Sequence, residues 1–320
     1  MRHVYRRTLP AVLLASVALI AWIATLQASA AGLQPPLPPS IVGQIINQVS
    51  VDELTTHVCH LQDKDALGYC NTQGSRYSLN PASLQEAADY IIGQLQELPG
   101  VTVTTQPFTL SNLFPDEQNS LTLTNVIGTL AGVAPPAERG VVIVSAHYDS
   151  ISNEVARGGP APGADDNASG VAAVLEAARL LSKHTFWHTV RFVTFAGEEQ
   201  GLHGSRHYAD LAHRTGENIV GVINADMIAY DGDSDPRLEI HAGPEPHNVA
   251  LAHTLTETIE AYHLNLLPQA VLNAPIRASD HASFWDRDFP AILVIEDTEI
   301  TGPTFDFNPY YHSAEDTLDK

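Results

Sequence analysis

Two adjacent glutamates, Glu198 and Glu199, end an apolar strand-like run and begin a turn flanked by glycines. Carboxylates in this position can bind a metal ion and accept a proton, and hydrolysis at a metal centre needs both abilities. Similar polar groups occur in four other segments. These are His147 to Asp149, the turn Gly163 to Gly170, Asn224 to Met227, and Tyr310 to Asp316.

The periodicity of apolar residues predicts elements that bring these segments to one place. Strands are predicted at 101–108, 121–130, 141–146, 190–196, 220–223 and 291–295, and helices at 80–98, 170–182, 203–213 and 247–262. This alternation predicts an α/β domain of three α/β/α layers, with a mainly parallel mixed sheet and an antiparallel edge. The polar groups would lie at the carboxyl ends of its strands, where open α/β sheets bind ligands.

The acidic turn before the helix at Gly170 indicates a site for two metal ions. Asp166 stands where a rigid turn could direct its two oxygens toward different cations, roughly 3.5–4 Å apart. We expect Asp165 to act instead as a helix N-cap or as an acid of the first turn. A mixed set of imidazoles and carboxylates suits zinc and also tolerates cobalt or manganese.

Together, the five segments resemble the double-zinc exopeptidase family of secreted bacterial aminopeptidases, whose relatives include glutamate carboxypeptidases and glutaminyl cyclases. The matching stretches read His147-Tyr148-Asp149-Ser150, Gly163 to Gly170, Gly197-Glu198-Glu199-Gln200-Gly201, Asn224-Ala225-Asp226-Met227 and Tyr311-His312-Ser313. The resemblance covers most of residues 51–320, and five motifs in order make it specific where any one alone would be weak.

The resemblance implies five metal ligands for two zinc ions. His147 and Asp226 would bind one ion, Glu199 and His312 would bind the other, and Asp166 would bridge them. It also implies that the peptide bond from Asp166 to Asn167 is cis. The segment Ser279-Asp280-His281 offers a rival fifth ligand, but the order of the motifs favours His312.

Three further residues receive catalytic roles from the same resemblance. Glu198 would be the general base, and Tyr311 would stabilise the oxyanion. Asp149 lies two residues after His147, on the same face of the strand, and would accept the second ring N–H of that histidine.

The implied function is that of a secreted zinc-dependent exopeptidase, most simply an aminopeptidase. It would hydrolyse the terminal bond of a peptide or short protein N-terminus with a metal-bound hydroxide. A carboxypeptidase and a glutaminyl cyclase are the enzymatic alternatives, and the cyclase is disfavoured because such relatives bind one metal ion without the full ligand set. A receptor-like domain without activity is the non-enzymatic alternative, and it would require lost ligands or a lost base.

The first 30 residues are predicted to be a signal peptide. Three arginines precede an apolar stretch from Leu9 to Leu26, and Ala28-Ser29-Ala30 fits the small-residue rule for cleavage. An uncleaved membrane anchor is the alternative, because that stretch is just long enough to cross a bilayer. After cleavage we expect an extracytoplasmic protein without stable membrane association.

A proline-rich spacer at 31–50 and one metallopeptidase domain at 51–320 complete the predicted organisation. Related chains continue into a final helix after the last motif, and this sequence predicts a domain without it. Cys59 and Cys70 fit no metal or redox pattern, so they either pair as a disulfide or remain two thiols.

The overall charge limits the partners. The chain has 37 acidic and 16 basic residues, giving a formal charge of -21. Such a surface repels phosphate backbones, so we expect no nucleic-acid partner, and we expect a monomer.

Overall fold

A computed structural model of the protein describes residues 39–63, 70, 72–111, 120–273, 275–298 and 306–320. Its strands form one eight-stranded sheet in the order β1-β2-β4-β3-β5-β8-β6-β7. Their bounds are β1 Val101–Ser111, β2 Ser120–Leu130, β3 Val141–His147, β4 Thr189–Phe195, β5 Ile219–Ala225, β6 Arg237–Ala242, β7 Leu267–Val271 and β8 Ala291–Ile295.

The central strands β4, β3, β5 and β8 are mutually parallel, so their carboxyl ends meet at one edge of the sheet. Strands β1 and β2 are antiparallel to each other, and β2 is antiparallel to β4. On the other side β6 is antiparallel to β8 and parallel to β7. The predicted mainly parallel mixed sheet is therefore confirmed.

Seven helices of the described residues cover both faces of this sheet. They are α1 Pro39–Ile46, α2 Val51–Gln62, α3 Pro81–Gln96, α4 Gly170–Leu181, α5 His203–Thr215, α6 Pro246–Ala261 and α7 His281–Trp285. The sheet separates two hydrophobic cores, a larger one on one face and a smaller one on the other. Apolar residues of α1 to α4 and α6 lie in the larger core, and those of α5 and α7 lie in the smaller core. The three predicted layers follow from this division.

The side-chain alternation of strand β3 shows how one sequence serves both cores. Val142 and Val144 pack into the larger core, while Val141 and Ile143 pack into the smaller one on the opposite face. Every residue of β3 is buried, as expected for a strand that has parallel neighbours and a helical layer on each face.

Among the described residues, five elements were not predicted from the sequence, namely helices α1, α2 and α7 and strands β6 and β7. Strand β6 lies between the predicted strand at 220–223 and the predicted helix at 247–262, and β7 lies between that helix and the predicted strand at 291–295. The pattern of β7 is mostly exposed, as suits an edge strand, and it lacks the clear alternation that identified the others. Helix α2 begins at a Ser50 cap whose hydroxyl accepts from the N–H of Glu53.

The start of the folded region differs from the predicted spacer. Residues 39–46, inside the predicted spacer at 31–50, form helix α1, and its Val42 and Ile45 are buried in the larger core. The predicted signal peptide at 1–30 and the rest of the spacer to 38 lie outside the described residues. None of the helices in the described ranges is long and apolar enough to span a membrane.

The two cysteines form a disulfide. Cys59 near the end of α2 is bonded to Cys70, with their Cα atoms 4.7 Å apart. The carboxylate of Asp63 accepts hydrogen bonds from the N–H groups of Cys70 at 2.7 Å and Thr72 at 3.2 Å. The disulfide therefore fixes the end of α2 to the chain that leads into α3.

Helix α4 starts in close contact with the carboxyl ends of β3 and β5. The Asn167 amide donates to Ala225 O at 3.0 Å, and its Oδ1 accepts the N–H of Gly170 at 2.9 Å. A Cβ atom on Gly170 would lie 2.6 Å from Ala225 O and closer still to Asn167 Oδ1. Only glycine fits here, so the residue type sets the distance between the acidic turn and the sheet.

We expect Gly170→Ala to lower the free energy of unfolding by about 1–3 kcal/mol, because the methyl group overpacks a junction of main chains. Gly93→Ala in α3 is the matched control, since a Cβ there meets nothing within 4 Å. That change should be neutral or add about 0.5–1 kcal/mol, as alanine is the better helix former. Urea unfolding of both variants measures this, and equal stability of the two would contradict the proposed steric role.

Candidate metal centre

The predicted site residues lie around the carboxyl edge of the central strands. His147 is the last residue of β3, Glu198 and Glu199 follow β4, and Asp226 follows β5. Asp166 lies in the turn before α4. His312 enters from the C-terminal segment, with a left-handed φ of 53°. The structure brings the five predicted ligands together although 165 residues separate the first from the last in the sequence.

One half of the cluster is built around His147. Its Nε2 atom lies 3.2 Å from Asp166 Oδ1 and 3.3 Å from Asp226 Oδ1. All three residues are buried. One imidazole nitrogen and two carboxylate oxygens within this distance form a donor set that matches zinc.

The other half is built around His312. Its Nε2 atom lies 3.2 Å from Asp166 Oδ2 and 3.1 Å from Glu199 Oε2. The two oxygens of Asp166 therefore face different histidines, as a bridging carboxylate requires. The second oxygen of Glu199, Oε1, is buried and has no hydrogen-bond partner among the described residues.

The turn that carries Asp166 has an unusual backbone. The peptide bond from Asp166 to Asn167 is cis, as the resemblance predicted. Asp166 and Asn167 both leave helical geometry, although the residues around them are helical. The Asp166 side chain therefore projects from a break between two helical pieces rather than from a regular helix surface.

The charges of the cluster strongly perturb its pKa values. Burial would raise the pKa of Asp166, but hydrogen bonds with His147 and His312 hold it well below its usual range. Burial and the charge of Asp166 raise the pKa of Glu199 to about 7. Burial disfavours the charged form of His312, yet hydrogen bonds to Asp166 and Glu199 raise its pKa to about 10.

The carboxylates of Asp166 and Glu199 thus compete for the positive charge of the two histidines, and the cluster contains a third buried carboxylate, Asp226. Two neutral imidazoles with three carboxylates carry three negative charges, and two divalent cations would more than balance them. The donor chemistry, the bridging orientation of Asp166 and the free Oε1 of Glu199 all fit two zinc ions.

Glu198 lies beside the cluster and faces His147. A carboxylate oxygen of Glu198 lies within 4.8 Å of ligand atoms of His147 and Glu199. Burial raises the pKa of Glu198 well above its usual range; the charge of His147 opposes this shift, and those of Asp226 and Asp280 reinforce it. Glu198 is therefore a carboxyl group with high proton affinity next to the predicted metal ligands, which is the environment that the predicted general base requires.

Asp149 differs in detail from its predicted role. The Nδ1 atom of His147 lies 3.1 Å from the main-chain oxygen of Asp149 and 3.7 Å from its nearest carboxylate oxygen. The carboxylate is engaged elsewhere, because it accepts the N–H groups of Glu198 at 3.2 Å and Glu199 at 3.3 Å and the hydroxyl of Ser78 at 2.9 Å. Asp149 thus orients the histidine with its backbone and the glutamate pair with its side chain.

Tyr311 lies at the outer side of the cluster and is 39% exposed. Its ring stacks on His312 with centroids 3.7 Å apart and meets Phe307 edge to face. Burial of the hydroxyl and the charges of Asp166 and Glu199 raise the pKa of Tyr311. The tyrosine therefore stays protonated and could donate a hydrogen bond from the rim of the site.

The rival ligand segment takes a different position. His281 begins α7, and its Nε2 pairs with the main-chain oxygen of Ile276 at 2.9 Å. Burial lowers the pKa of His281 to about 3 and raises that of Asp280 to about 7. His281 is outside every group of metal-binding side chains among the described residues, so the preference for His312 agrees with the geometry.

Ser279 supports the predicted ligand Asp226 through a hydrogen bond, a role that the sequence did not indicate. Its hydroxyl donates to Asp226 Oδ2 at 2.5 Å and accepts from the Asn224 amide at 2.8 Å. Asn224 in turn accepts from Ser145 on β3 at 2.9 Å. A serine before the Asp-His pair gave no signal of this contact, because the partner lies 53 residues away.

Asp165 was predicted to be an N-cap or a first-turn acid of the helix at Gly170, but the N-cap position of that helix is Ser169. Asp165 is fully buried, its Oδ1 accepts the N–H of Ala229 at 3.0 Å, and its Oδ2 accepts from the Asn308 amide at 2.7 Å. Asp165 therefore ties the acidic turn to the chain after β5 and to the C-terminal segment. No local pattern marks such a role, because both partners are distant in sequence.

Arg76 is a buried positive charge near the cluster that sequence analysis also missed. Its guanidinium donates to the main-chain oxygens of Tyr148, Leu61, Pro162 and Gly163 at 2.6–2.9 Å. Burial lowers the pKa of Arg76 to about 10, a shift that the neighbouring carboxylates oppose. The side chain fixes the entry to the acidic turn while its charge partly offsets that of the carboxylates.

A second acidic group is formed by the chain between β5 and β6 and by the C-terminal segment. Asp231, Asp233 and Asp306 have carboxylate oxygens within 4.8 Å of one another. Asp306 is tied to the main chain, since both its oxygens accept from the N–H of Gly232. The group has no imidazole, so its donor set differs from that of the five-residue cluster.

Comparison with known proteins identifies the family. The model of "Peptidase family M28" matches residues 125–320, which is more than half of the chain. The chain belongs to peptidase family M28. The matched region contains all five residues of the candidate metal centre.

Named relatives of this M28 chain include aminopeptidases and a metalloprotease. A probable leucine aminopeptidase of Trichophyton verrucosum (strain HKI 0517) is 33% identical over 207 residues, covering 63% of this chain and 53% of the relative. A probable zinc metalloprotease of Pyrenophora tritici-repentis (strain Pt-1C-BFP) is 27% identical over 307 residues, covering 82% and 63%. The chain spans about half the length of the curated aminopeptidases it matches.

Solved structures show the same fold for this M28 member. An aminopeptidase from Aneurinibacillus sp. strain AM-1 has a TM-score of 0.65 at 19% identity, covering 87% of this chain and 90% of that chain. The Fimbriiglobus ruber glutaminyl cyclase has a TM-score of 0.62 at 20% identity, covering 85% and 89%. Because both enzyme types share the architecture, the fold alone does not choose between them.

We expect zinc to raise the Tm of the chelator-treated protein, because divalent cations offset the repulsion among the buried carboxylates. With free zinc 100-fold above the Kd, the stabilisation is about 2.7 kcal/mol per site. Thermal unfolding of the full chain with zinc and with chelator measures the gain. The matched variants are His312→Ala, which should lose much of it, and Asp233→Asn, which should keep it; equal losses in both would place the bound zinc elsewhere.

Proposed function

We propose that this M28 chain is a zinc-dependent aminopeptidase that removes the first residue of peptides. The observation that carries the proposal is the complete five-residue donor set around Asp166, with the carboxyl group of Glu198 beside it. The aminopeptidase names of the relatives support the choice among exopeptidases. A receptor-like domain would not need a complete ligand set together with a base.

His147 and Asp226 would hold one zinc ion, Glu199 and His312 the second, with Asp166 between them. When bound, the two ions supply Lewis-acid chemistry, since they acidify a water molecule near neutral pH and polarise the scissile carbonyl. Ser279 and Asp149 hold ligand groups in place through the hydrogen bonds described above.

Glu198 acts as the proton carrier in the proposed reaction. Its carboxylate takes the proton from the attacking water and delivers it to the leaving amine as the peptide bond breaks. The N–H groups of Glu198 and Glu199 are both anchored on Asp149, so the base and its neighbouring ligand hold a fixed separation. Tyr311, at the rim, donates to the developing oxyanion.

An apolar cluster begins directly after Asp226, and its partly buried members Ile276 and Phe307 suit contact with the side chain of the residue to be removed. Met227, Leu293 and Ile295 are buried together, and Ile276 and Phe307 pack against them. We therefore infer a preference for an apolar N-terminal residue, which agrees with the leucine aminopeptidase names of the relatives.

Export and a monomeric state complete the proposal. The arginine-rich start, the apolar stretch at 9–26 and the small-residue triplet support a cleaved signal peptide. The Cys59–Cys70 disulfide is compatible with an oxidising, extracytoplasmic compartment.

The decisive assay compares leucyl chromogens with a free amine and with a blocked amine, each with and without chelator. We expect hydrolysis of the free-amine substrate only, and loss of that activity with chelator. Hydrolysis of substrates with a free carboxylate and a blocked amine would instead support a carboxypeptidase. Cyclisation of an N-terminal glutamine without hydrolysis would support a glutaminyl cyclase.

We expect Glu198→Gln to reduce kcat by roughly 10²–10⁴-fold, because the amide keeps the shape of the base but accepts no proton. Its zinc content should remain near that of the wild type. Asp166→Asn is the contrasting variant, and it should lose zinc as well as activity because a neutral amide bridges two cations poorly. Metal analysis and kinetics on both variants would refute the assignment if Glu198→Gln lost its zinc or kept the wild-type rate.

A further inference from the structure

The C-terminal segment contains a buried acid, Asp316, that binds the turn carrying Asp166 but is not one of the predicted metal ligands. Asp316 lies four residues after His312 and is buried, with 2% exposure. Its Oδ1 accepts the N–H of Asp165 at 3.0 Å, and its Oδ2 accepts the N–H of Asp166 at 3.1 Å. One carboxylate thus binds two consecutive amides of the turn that carries the bridging residue.

We propose that Asp316 is a positioning residue that sets the affinity of the metal pair, chiefly for the ion on the His312 side. The inference rests on the proposed function, because it takes the five-residue cluster to be the zinc site. It assigns to Asp316 no contact with substrate or metal. Asp316 acts through the two residues to which it is joined, Asp166 by hydrogen bonds and His312 by a short stretch of chain.

The contacts of Asp316 fix the position of the acidic turn relative to His312. The main-chain oxygen of Asp316 accepts the N–H of Ala164 at 3.1 Å, so three successive amides of the turn bind this one residue. The carbonyl of His312 accepts the N–H of Asn153 at 3.0 Å, which holds the histidine from its other side. These hydrogen bonds join the acidic turn to the C-terminal segment, although the two lie about 150 residues apart in the sequence.

The two halves of the cluster depend on Asp316 to different degrees. On the first side, His147 and Asp226 are fixed by the ends of β3 and β5, and only Asp166 depends on the turn. On the second side, Asp166 and His312 both lie on segments that Asp316 joins, and only Glu199 is fixed by a strand end. We call the two hydrogen bonds from the amides of Asp165 and Asp166 to the Asp316 carboxylate the clamp. Loss of the clamp should therefore weaken metal binding more on the His312 side than on the His147 side.

The chemistry of the clamp requires a carboxylate. Two N–H groups that point the same way need two acceptor atoms, and the oxygens of one carboxylate provide them. An asparagine offers one acceptor oxygen, while its NH₂ group would face the other amide as a second donor. Asp316→Asn thus removes part of the clamp while leaving the side-chain volume almost unchanged.

The test titrates the metal-free full chain with zinc chloride by calorimetry, with cobalt absorption spectra as a second readout. Asp316→Asn is compared with two controls. Glu315→Gln removes an acid from the adjacent, exposed position. Gln62→Met removes the oxygen that accepts the N–H of Leu318 at 2.8 Å, which loosens the same C-terminal segment without touching the acidic turn.

We expect the wild type and both controls to bind two ions. Asp316→Asn should bind one ion with nearly wild-type affinity and the second roughly 10–100-fold more weakly, as changes to residues that orient metal ligands do. Its kcat should recover at saturating zinc with KM unchanged, which a loss of general stability would not produce. Its cobalt spectrum should show the second site filling at higher metal concentration.

Wild-type affinity at both sites of Asp316→Asn would overturn the inference, and so would an equal loss in Gln62→Met. If Asp316→Asn does not fold, Asp316→Glu keeps both acceptor oxygens but displaces them by one methylene. It must weaken the second ion too, and wild-type affinity at both of its sites overturns the inference. A wild-type chain that binds no zinc would refute the proposed metal centre itself, so the two failures are distinguishable.

Discussion

The repulsion among buried carboxylates is the constraint on which the rest of this structure depends. Asp166, Glu199 and Asp226 lie close together and are almost fully buried, where an unpaired charge is costly. Hydrogen bonds with His147 and His312 offset part of that cost, and divalent cations would offset more. The fold must therefore hold these carboxylates together against their mutual repulsion. Many of the polar side chains that make buried hydrogen bonds accordingly lie at this edge of the sheet.

Rigid elements supply most of the holding force. Three parallel strands deliver His147, Asp226 and the glutamate pair to one edge, and the glycine at the start of α4 lets the acidic turn approach β5. Side chains such as Asp149 and Ser279 then orient the ligands through hydrogen bonds. Such preorganisation is what a hydrolytic site requires, because ligands that moved with the charge would not stabilise a transition state.

The sequence predicted the parts of this arrangement that arise from local pattern. Strands β3, β4 and β5 are continuous apolar runs followed by polar motifs, so both the elements and the residues at their ends were recognisable. Strand β7 was missed because a short, mostly exposed edge segment alternates weakly. Strand β6 lies inside the sheet and is almost entirely buried, although every second residue, Arg237, Glu239 and His241, is polar. The roles of Asp165 and Arg76 were missed for another reason. Each binds main-chain groups far away in sequence, and no spacing rule describes such contacts.

The C-terminal segment shows why contacts between residues distant in sequence matter as much as the local patterns. Like Asp166, His312 is a predicted ligand that no strand end fixes, and its backbone is in the left-handed region, where a non-glycine residue needs support from its surroundings. That support consists of hydrogen bonds from Asn153, Ala164, Asp165 and Asp166 to the segment, together with the stacking of Tyr311. Because these contacts and the metal ligands share residues, zinc binding and the ordering of the segment should favour each other. A metal ion bound on the His312 side would in this sense be part of the fold.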